Sequence, residues 1–202
     1  MSSAPSESSE SSPVTAPEVQ KTLGSREVLR YSLGLVAIGA FAAFLIAPYF
    51  SPRAPKVSYK PLPAFDLPLL SGGALGDRVG SAHLRGRPVI LDFWASWCAP
   101  CAAQTVELSA ALPQLGKDTY VLGIATGEPE ARASAHLKEH PSSYSNAYDT
   151  DQELARALDV SELPTLVFID ESGQIRAQVR GSKSRIEIQS LASSLFASPP
   201  QK

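Results

Sequence analysis

Apolar and polar positions follow two different periods along this chain, and the switches between them mark out its elements. The longest apolar run, Tyr31 to Phe50 (YSLGLVAIGAFAAFLIAPYF), carries no charged residue. At helical rise such a run crosses a hydrocarbon core of about 30 Å, so the pattern predicts one membrane span over 31–50. Ala40-Phe41-Ala42 has the A-x-A form of a signal cleavage site, but a long segment precedes the run and the run continues past Ala42, which predicts an uncleaved signal anchor. The tail over 1–30 begins with a Ser-, Pro- and Glu-rich stretch too poor in large apolar side chains to offset ordering entropy, and is predicted to be disordered. After the span, Pro52, Pro55, Pro61 and Pro63 predict an extended spacer over 51–63 that holds the next domain off the bilayer.

From residue 64 the pattern alternates between strand and helix. Short strands are predicted around Phe65 to Leu67 and Asp77 to Gly80, a strong one over Val89 to Ala95, and a helix from Ala99 to about Leu112. A strand over Tyr120 to Ala125, a helix from Pro129 to Glu139, a strand over Tyr144 to Tyr148 and a helix from Gln152 to Leu158 follow. Thr165 to Ile169 and Gln174 to Arg180 flank Glu171-Ser172-Gly173, as in a hairpin. In the last helix Ile188, Leu191, Ala192 and Leu195 fall at i, i+3, i+4 and i+7, one apolar stripe. This alternation implies an α/β domain over 64–197, a central sheet covered by helices on both faces, with 198–202 as a tail.

Composition narrows the partners. The 202 residues are 44% apolar and 19% charged, enough for one domain with a sizeable core. A net charge of -2 argues against nucleic acid. Charge leaves the orientation of the span open, because Lys21, Arg26 and Arg30 on one side balance Arg53, Lys56 and Lys60 on the other.

The candidate chemistry lies in Trp97-Cys98-Ala99-Pro100-Cys101, which holds both cysteines of the chain. A disulfide across so short a loop is a weak staple, roughly 2 kcal/mol by chain entropy against about 3 for a fifteen-residue loop. It is better suited to opening and closing. Structural zinc would need a second pair of ligands, and His83, His136 and His140 stand at unrelated spacings, so no metal is expected. His136 and His140, four apart on a predicted helix, read as a solvated face. Cys98 at a helix start is the predicted nucleophile, because unpaired amides and the helix dipole favour its thiolate. Cys101, one turn on, is the predicted resolving thiol. Pro100 fits an early helical position, where a missing N–H costs little. Asp92 interrupts the apolar strand Val89-Ile90-Leu91-Asp92-Phe93-Trp94, a costly place for a carboxylate unless it is paired with a lysine or amide or has its pKa raised for use. Pro164 directly precedes an apolar strand, which suggests a cis Leu163-Pro164 bond, a trans turn proline being the alternative. Trp97 is a candidate apolar contact surface, and Phe93 and Trp94 are candidate core.

Asp92-Phe93-Trp94-Ala95-Ser96-Trp97-Cys98-Ala99-Pro100-Cys101 resembles the thioredoxin active-site strand and turn, and Leu163-Pro164-Thr165 resembles the cis-proline loop that faces it. With the anchor, the Leu84-Arg85-Gly86-Arg87-Pro88 lead-in and Tyr148-Asp149-Thr150-Asp151, the chain is most similar to the TlpA-like and ResA-like membrane-anchored thiol-disulfide oxidoreductases of bacteria. The resemblance implies a thioredoxin-like mixed sheet, a redox-active Cys98–Cys101 pair supported by Ala99 and Pro100, and Asp92 as general base for Cys101. It also implies that Leu163, Pro164 and Trp97 meet an extended protein substrate. Unlike the anchored relatives, which commonly carry an uncharged residue at position 92 and a Glu at 104, this chain has Asp92 and Gln104, so the proton work falls on Asp92 while Gln104 could orient water or peptide. Ala102 and Val106 replace a common cation and a common proline.

The function so implied is disulfide exchange with extracytoplasmic protein partners, as a reductant and without a cofactor, in cell redox homeostasis and cytochrome c maturation. The expected chain is a monomer in the inner (plasma) membrane with its catalytic domain in the periplasm, fed by a membrane-embedded electron donor. The alternatives are a copper- or haem-handling chaperone, which would favour wider Cys spacing with a placed His or Met, and a thiol peroxidase, for which Thr105 and Arg132 lack the expected relation to Cys98.

Overall fold

A computed structural model describes residues 38–42, 56–57, 60–71 and 77–197. The chain divides into two compact units, residues 1–53 and 54–202. In the first, residues 38–42 are helical, with Ile38 and Phe41 exposed. The rest of the span predicted over 31–50 and the tail over 1–30 lie outside the described residues, as does the tail over 198–202. No helix among the described residues is long and apolar enough to cross a membrane.

The second unit is built on a mixed sheet. Its described strands are β1 (Lys56–Val57), β2 (Asp66–Ser71), β3 (Arg78–Gly80), β4 (Val89–Trp94), β5 (Tyr120–Ala125), β6 (Ser145–Tyr148), β7 (Thr165–Ile169) and β8 (Ile175–Arg180), in the spatial order β1-β8-β7-β4-β5-β6-β2-β3. The helices are α1 (Ala99–Ala111), α2 (Glu130–Glu139), α3 (Glu153–Ala157) and α4 (Arg185–Phe196). β4 lies near the middle, parallel to β5 and antiparallel to β7, and every one of its residues is buried. A near-continuous apolar run is what a strand covered on both faces requires.

Alternation along β4 separates the two faces. Val89, Leu91 and Phe93 pack with Leu154, Ala155 and Leu158 around α3. Ile90 packs with Leu108 and Ala111 of α1 and Ile188 and Ala192 of α4. Trp94, on the Ile90 side, joins Cys98, Cys101 and Ala133 of α2. Asp92 therefore stands on the α1 face, between an apolar core and the cysteine cluster. α1 ends at Ala111 and passes into a 3-10 turn over Leu112–Gln114, because Pro113 can neither donate to the ladder nor clear the preceding turn. Ser184 starts α4 with a capping box, its hydroxyl accepting from the Glu187 amide.

The spacer reading of 51–63 needs correction in its second half. β1 pairs antiparallel with β8, placing Lys56 opposite Gln178 and Val57 opposite Ala177. Pro61 bridges to Gln174, the Leu62 amide donates to the Gly173 carbonyl at 2.9 Å, and the Ile175 amide donates to the Lys60 carbonyl at 2.9 Å. The domain thus begins before residue 64. A proline-rich extended segment suits an edge strand as well as a linker, since an edge needs donors on one side only.

Candidate active site

β4 delivers the chain to a turn at Ala95–Trp97 and then to α1. The Cys98 amide donates to the Ala95 carbonyl at 3.1 Å, and the Cys101 amide to the Cys98 carbonyl at 3.0 Å. Cys98 is the N-cap of α1 and Pro100 stands in its first turn, where the missing N–H leaves no bond unmade. Cys98 and Cys101 form a disulfide, with Cα atoms 5.3 Å apart. Cys98 is 6% exposed and Cys101 2%, so attack from outside reaches Cys98 first. Ala99 and Pro100 are exposed beside them, and Trp97 is 59% exposed.

The turn before Cys98 is held from the β5–α2 loop. The Ser96 amide donates to a Glu128 carboxylate oxygen at 2.6 Å, and the Ser96 hydroxyl donates to the other oxygen. Tyr148 donates its hydroxyl to the Glu128 carbonyl at 2.9 Å. Gly127 lies beside Trp97 with φ +71°, a left-handed backbone conformation that favours glycine. Across the site the Leu163-Pro164 peptide bond is cis, as the sequence suggested. Pro164 is buried, while Leu163 is half-buried and packs against the cluster that contains Cys98, Cys101 and Trp94.

Asp92 is completely buried. Its Oδ2 accepts the Tyr144 hydroxyl at 2.8 Å, while Oδ1 has no hydrogen-bond partner among the described residues. Burial pushes its pKa up to about 7, against a smaller lowering by the Tyr144 hydroxyl. The lysine or amide partner considered from the sequence is therefore replaced by a single phenol. A carboxyl titrating near neutrality can take a proton in one step and give it up in another.

Gln104 is fully buried, and its Oε1 accepts the Lys183 amide at 2.7 Å, tying α1 to the loop before α4. Ser182 adds a bond to the Pro100 carbonyl at 3.0 Å. His136 and His140 lie with ring centroids 4.8 Å apart, and His136 also meets Trp94 at 5.5 Å. Thr105 donates to the Cys101 carbonyl at 3.1 Å, and Arg132 is exposed on α2. Sequence reasoning missed Glu128 and Tyr144, which approach the motif from 32 and 52 residues away. No local pattern marks either: Tyr144 reads as the first residue of a strand, and Glu128 as a helix-start acid.

A disulfide closed at a helix N-terminus, an exposed indole beside it and a cis-proline loop across from it, on a thioredoxin-like fold, define a thiol-disulfide oxidoreductase. The AhpC/TSA family model matches residues 59–178, more than half of the chain, and the chain belongs to that family. The thiol:disulfide interchange protein DsbE of Pseudomonas aeruginosa is 31% identical over 160 residues, covering 77% of this chain and 85% of the relative. The thiol-disulfide oxidoreductase ResA of Geobacillus kaustophilus is 24% identical over 169 residues, covering 81% and 92%. The crystal structure of a thiol:disulfide interchange protein from Chlorobium tepidum matches with a TM-score of 0.58 at 23% identity, over 68% of this chain and 96% of that one, which shows the fold. Within the family the chain is a thiol-disulfide oxidoreductase of the ResA/DsbE type.

Proposed function

We propose that this protein is a membrane-tethered reductase of protein disulfides outside the cytoplasm, with Cys98 as nucleophile, Cys101 as resolving thiol and Asp92 as general base. The observation that carries the reading is the disulfide at the α1 N-terminus with a buried, near-neutral carboxyl on the same face of β4. In the reduced form the Cys98 thiolate attacks a substrate disulfide, forming a Cys98–substrate disulfide and releasing one substrate thiolate. Asp92 takes the Cys101 proton, and the Cys101 thiolate attacks Cys98 Sγ. The second substrate thiolate leaves, and the closed disulfide seen here remains. Substrate has gained two electrons, which a membrane dithiol donor then restores to the cysteines.

The direction rests on what surrounds the thiolate. A strong oxidant needs its reduced form unusually stabilised, and Ala99, Pro100 and Ala102 bring neither imidazolium nor cation, which leaves mainly the helix terminus. The expected potential is more negative than about -200 mV, towards the thioredoxin end of a family range of roughly -270 to -120 mV. Equilibration with glutathione or dithiothreitol buffers measures it, and a value near -120 mV would reverse the direction.

The uncharged run at 31–50 supports a tether, and disulfides persisting outside the cytoplasm supports the orientation. Leu163 and Trp97 would offer backbone and indole to an extended substrate segment of a monomeric enzyme. Apocytochromes, whose CxxCH thiols must be reduced for haem attachment, are one such substrate class. Trapping with Cys101→Ser in membranes should recover partners as mixed disulfides. Protease added to spheroplasts should remove the domain; full protection of the domain would sink the orientation.

A further inference from the structure

Asp92 has two oxygens in unlike surroundings. Oδ2 receives the Tyr144 hydroxyl, and Oδ1 receives no bond from the described residues. We propose that Tyr144 is a positioning residue for the resolving step: by donating to Oδ2 it reserves Oδ1 as the oxygen that takes the Cys101 proton, and it sets the pH at which Asp92 can do so. The inference rests on Asp92 being the general base.

Tyr144 reaches this place through tertiary contacts alone. It stands just before β6, and the loop carrying it is clamped by Asn146, whose side-chain amide donates to the Tyr144 carbonyl at 2.9 Å and to the Ser142 hydroxyl at 2.6 Å. The Asn146 Oδ1 in turn accepts the Trp94 indole N–H at 3.0 Å, so the loop is fastened to the cysteine cluster. Position 123 must be glycine for this clamp to fit: a Cβ there would come within 2.0 Å of Asn146 Oδ1. The phenol cannot become the acid in the pair, because burial and the neighbouring Asp92 charge hold its pKa well above the usual phenol range. It stays a donor, and a fixed donor favours the carboxylate form of the acceptor.

Thr105 continues the chain outward. Its hydroxyl donates to the Cys101 carbonyl at 3.1 Å and lies beside the phenol, so the helical turn of the resolving cysteine neighbours Tyr144. Thr105 also lines an open cavity of about 380 Å³ with Trp94, Ser142 and Asn146. The titratable and charged groups on surrounding elements are Cys98 and Cys101 at the start of α1, His136, Glu139 and His140 on α2, Arg180 on β8 and Lys183 before α4. With the disulfide closed, what moves the Asp92 carboxyl is its burial, opposed by the Tyr144 hydroxyl.

The full chain in detergent, reduced with dithiothreitol and freed of it, is mixed with an aromatic disulfide such as Ellman's reagent in stopped flow. The first thiolate released reports Cys98 attack and the second reports resolution by Cys101. Tyr144→Phe should leave the first release unchanged and move the pH midpoint of the second upward by about one unit, roughly tenfold slower below the midpoint. Site-specific 3,5-difluorotyrosine at 144, a stronger donor of the same shape, should move it downward, and carries the test if Tyr144→Phe does not fold. Asp92→Asn should remove the midpoint, and adding Tyr144→Phe to it should slow resolution no further. If Asp92→Asn removes the midpoint but neither change at 144 shifts it, Tyr144 has no such role and the general base stands. If Asp92→Asn itself keeps the wild-type midpoint, the general-base reading fails, and this inference with it.

Discussion

Two buried aspartates, one within β4 and one just past the end of its neighbour β7, show how differently one side chain can be used. Asp170 closes the β7–β8 hairpin and is 6% exposed. Its Oδ1 accepts from the Ser172 amide at 3.0 Å, the Ser172 hydroxyl at 2.6 Å and the Gln174 amide at 2.9 Å, and its Oδ2 meets Arg176 at 3.2 Å. Burial pushes its carboxyl up, but these donors more than offset it and hold the pKa below the usual carboxylate range. Asp92, at 0% exposure, has one phenol and an oxygen without a partner, and burial wins. A carboxylate saturated with donors keeps its charge; one left short of them titrates near neutrality, as the proposed proton transfer requires.

The sharpest test of that division is where activity and stability go when each region is cut. Cys98→Ser should abolish disulfide reduction of insulin, a loss of at least about a thousandfold, while Cys101→Ser should still attack once and accumulate mixed disulfides. If Cys101 proves the faster thiol in alkylation at neutral pH, the two roles are reversed. In the hairpin, Asp170→Ala should cost about 3–5 kcal/mol in denaturant unfolding, because it strips a buried guanidinium of its carboxylate, yet leave turnover per folded molecule unchanged.

The two aspartates should also oppose one another in pH. The folded pKa of Asp92 is raised from 3.8 to about 7, so the oxidised protein keeps more protons than the unfolded chain in that window, and its stability falls as pH rises through it. Asp92→Asn should remove this fall, a gain of at most about 4 kcal/mol above pH 7 that vanishes below about pH 4, while slowing resolution more than first attack. Asp170 is depressed, so its contribution is present above the unfolded value and is lost as pH falls through its folded pKa; Asp170→Asn should flatten that acid limb alone. A loss of stability for Asp92→Asn at pH 8 would make Asp92 a structural residue like its counterpart. The smallest effect should come from the strap beside the hairpin. Starting the domain at residue 64 instead of 54 removes the Leu62–Gly173 and Ile175–Lys60 bonds with the β1–β8 pairing, about 1–3 kcal/mol by chemical denaturation. No change would return residues 56–63 to the role of a linker.

Much of this was legible in the chain itself. The period of the apolar positions identified β5 and β7 to the residue and, β1 excepted, the other strands and helices to within a few, because burial on one face of a helix or both faces of a strand is written in local spacing. The site motif was equally local: Cys98, Pro100 and Cys101 need only a helix start, and Asp92 announces itself as a charge in an apolar strand. What spacing could not carry was the chemistry that arrives from elsewhere. That Asp92 is answered by Tyr144 rather than a lysine, that Ser96 is held by Glu128, and that a proline-rich stretch closes the sheet edge at β8 are all decided by which segments the fold packs together. A residue's periodicity reports whether it is buried, and burial is what raises the pKa of Asp92; which polar group it meets there, here the Tyr144 hydroxyl that partly opposes the rise, depends on the approach of segments far apart in the chain.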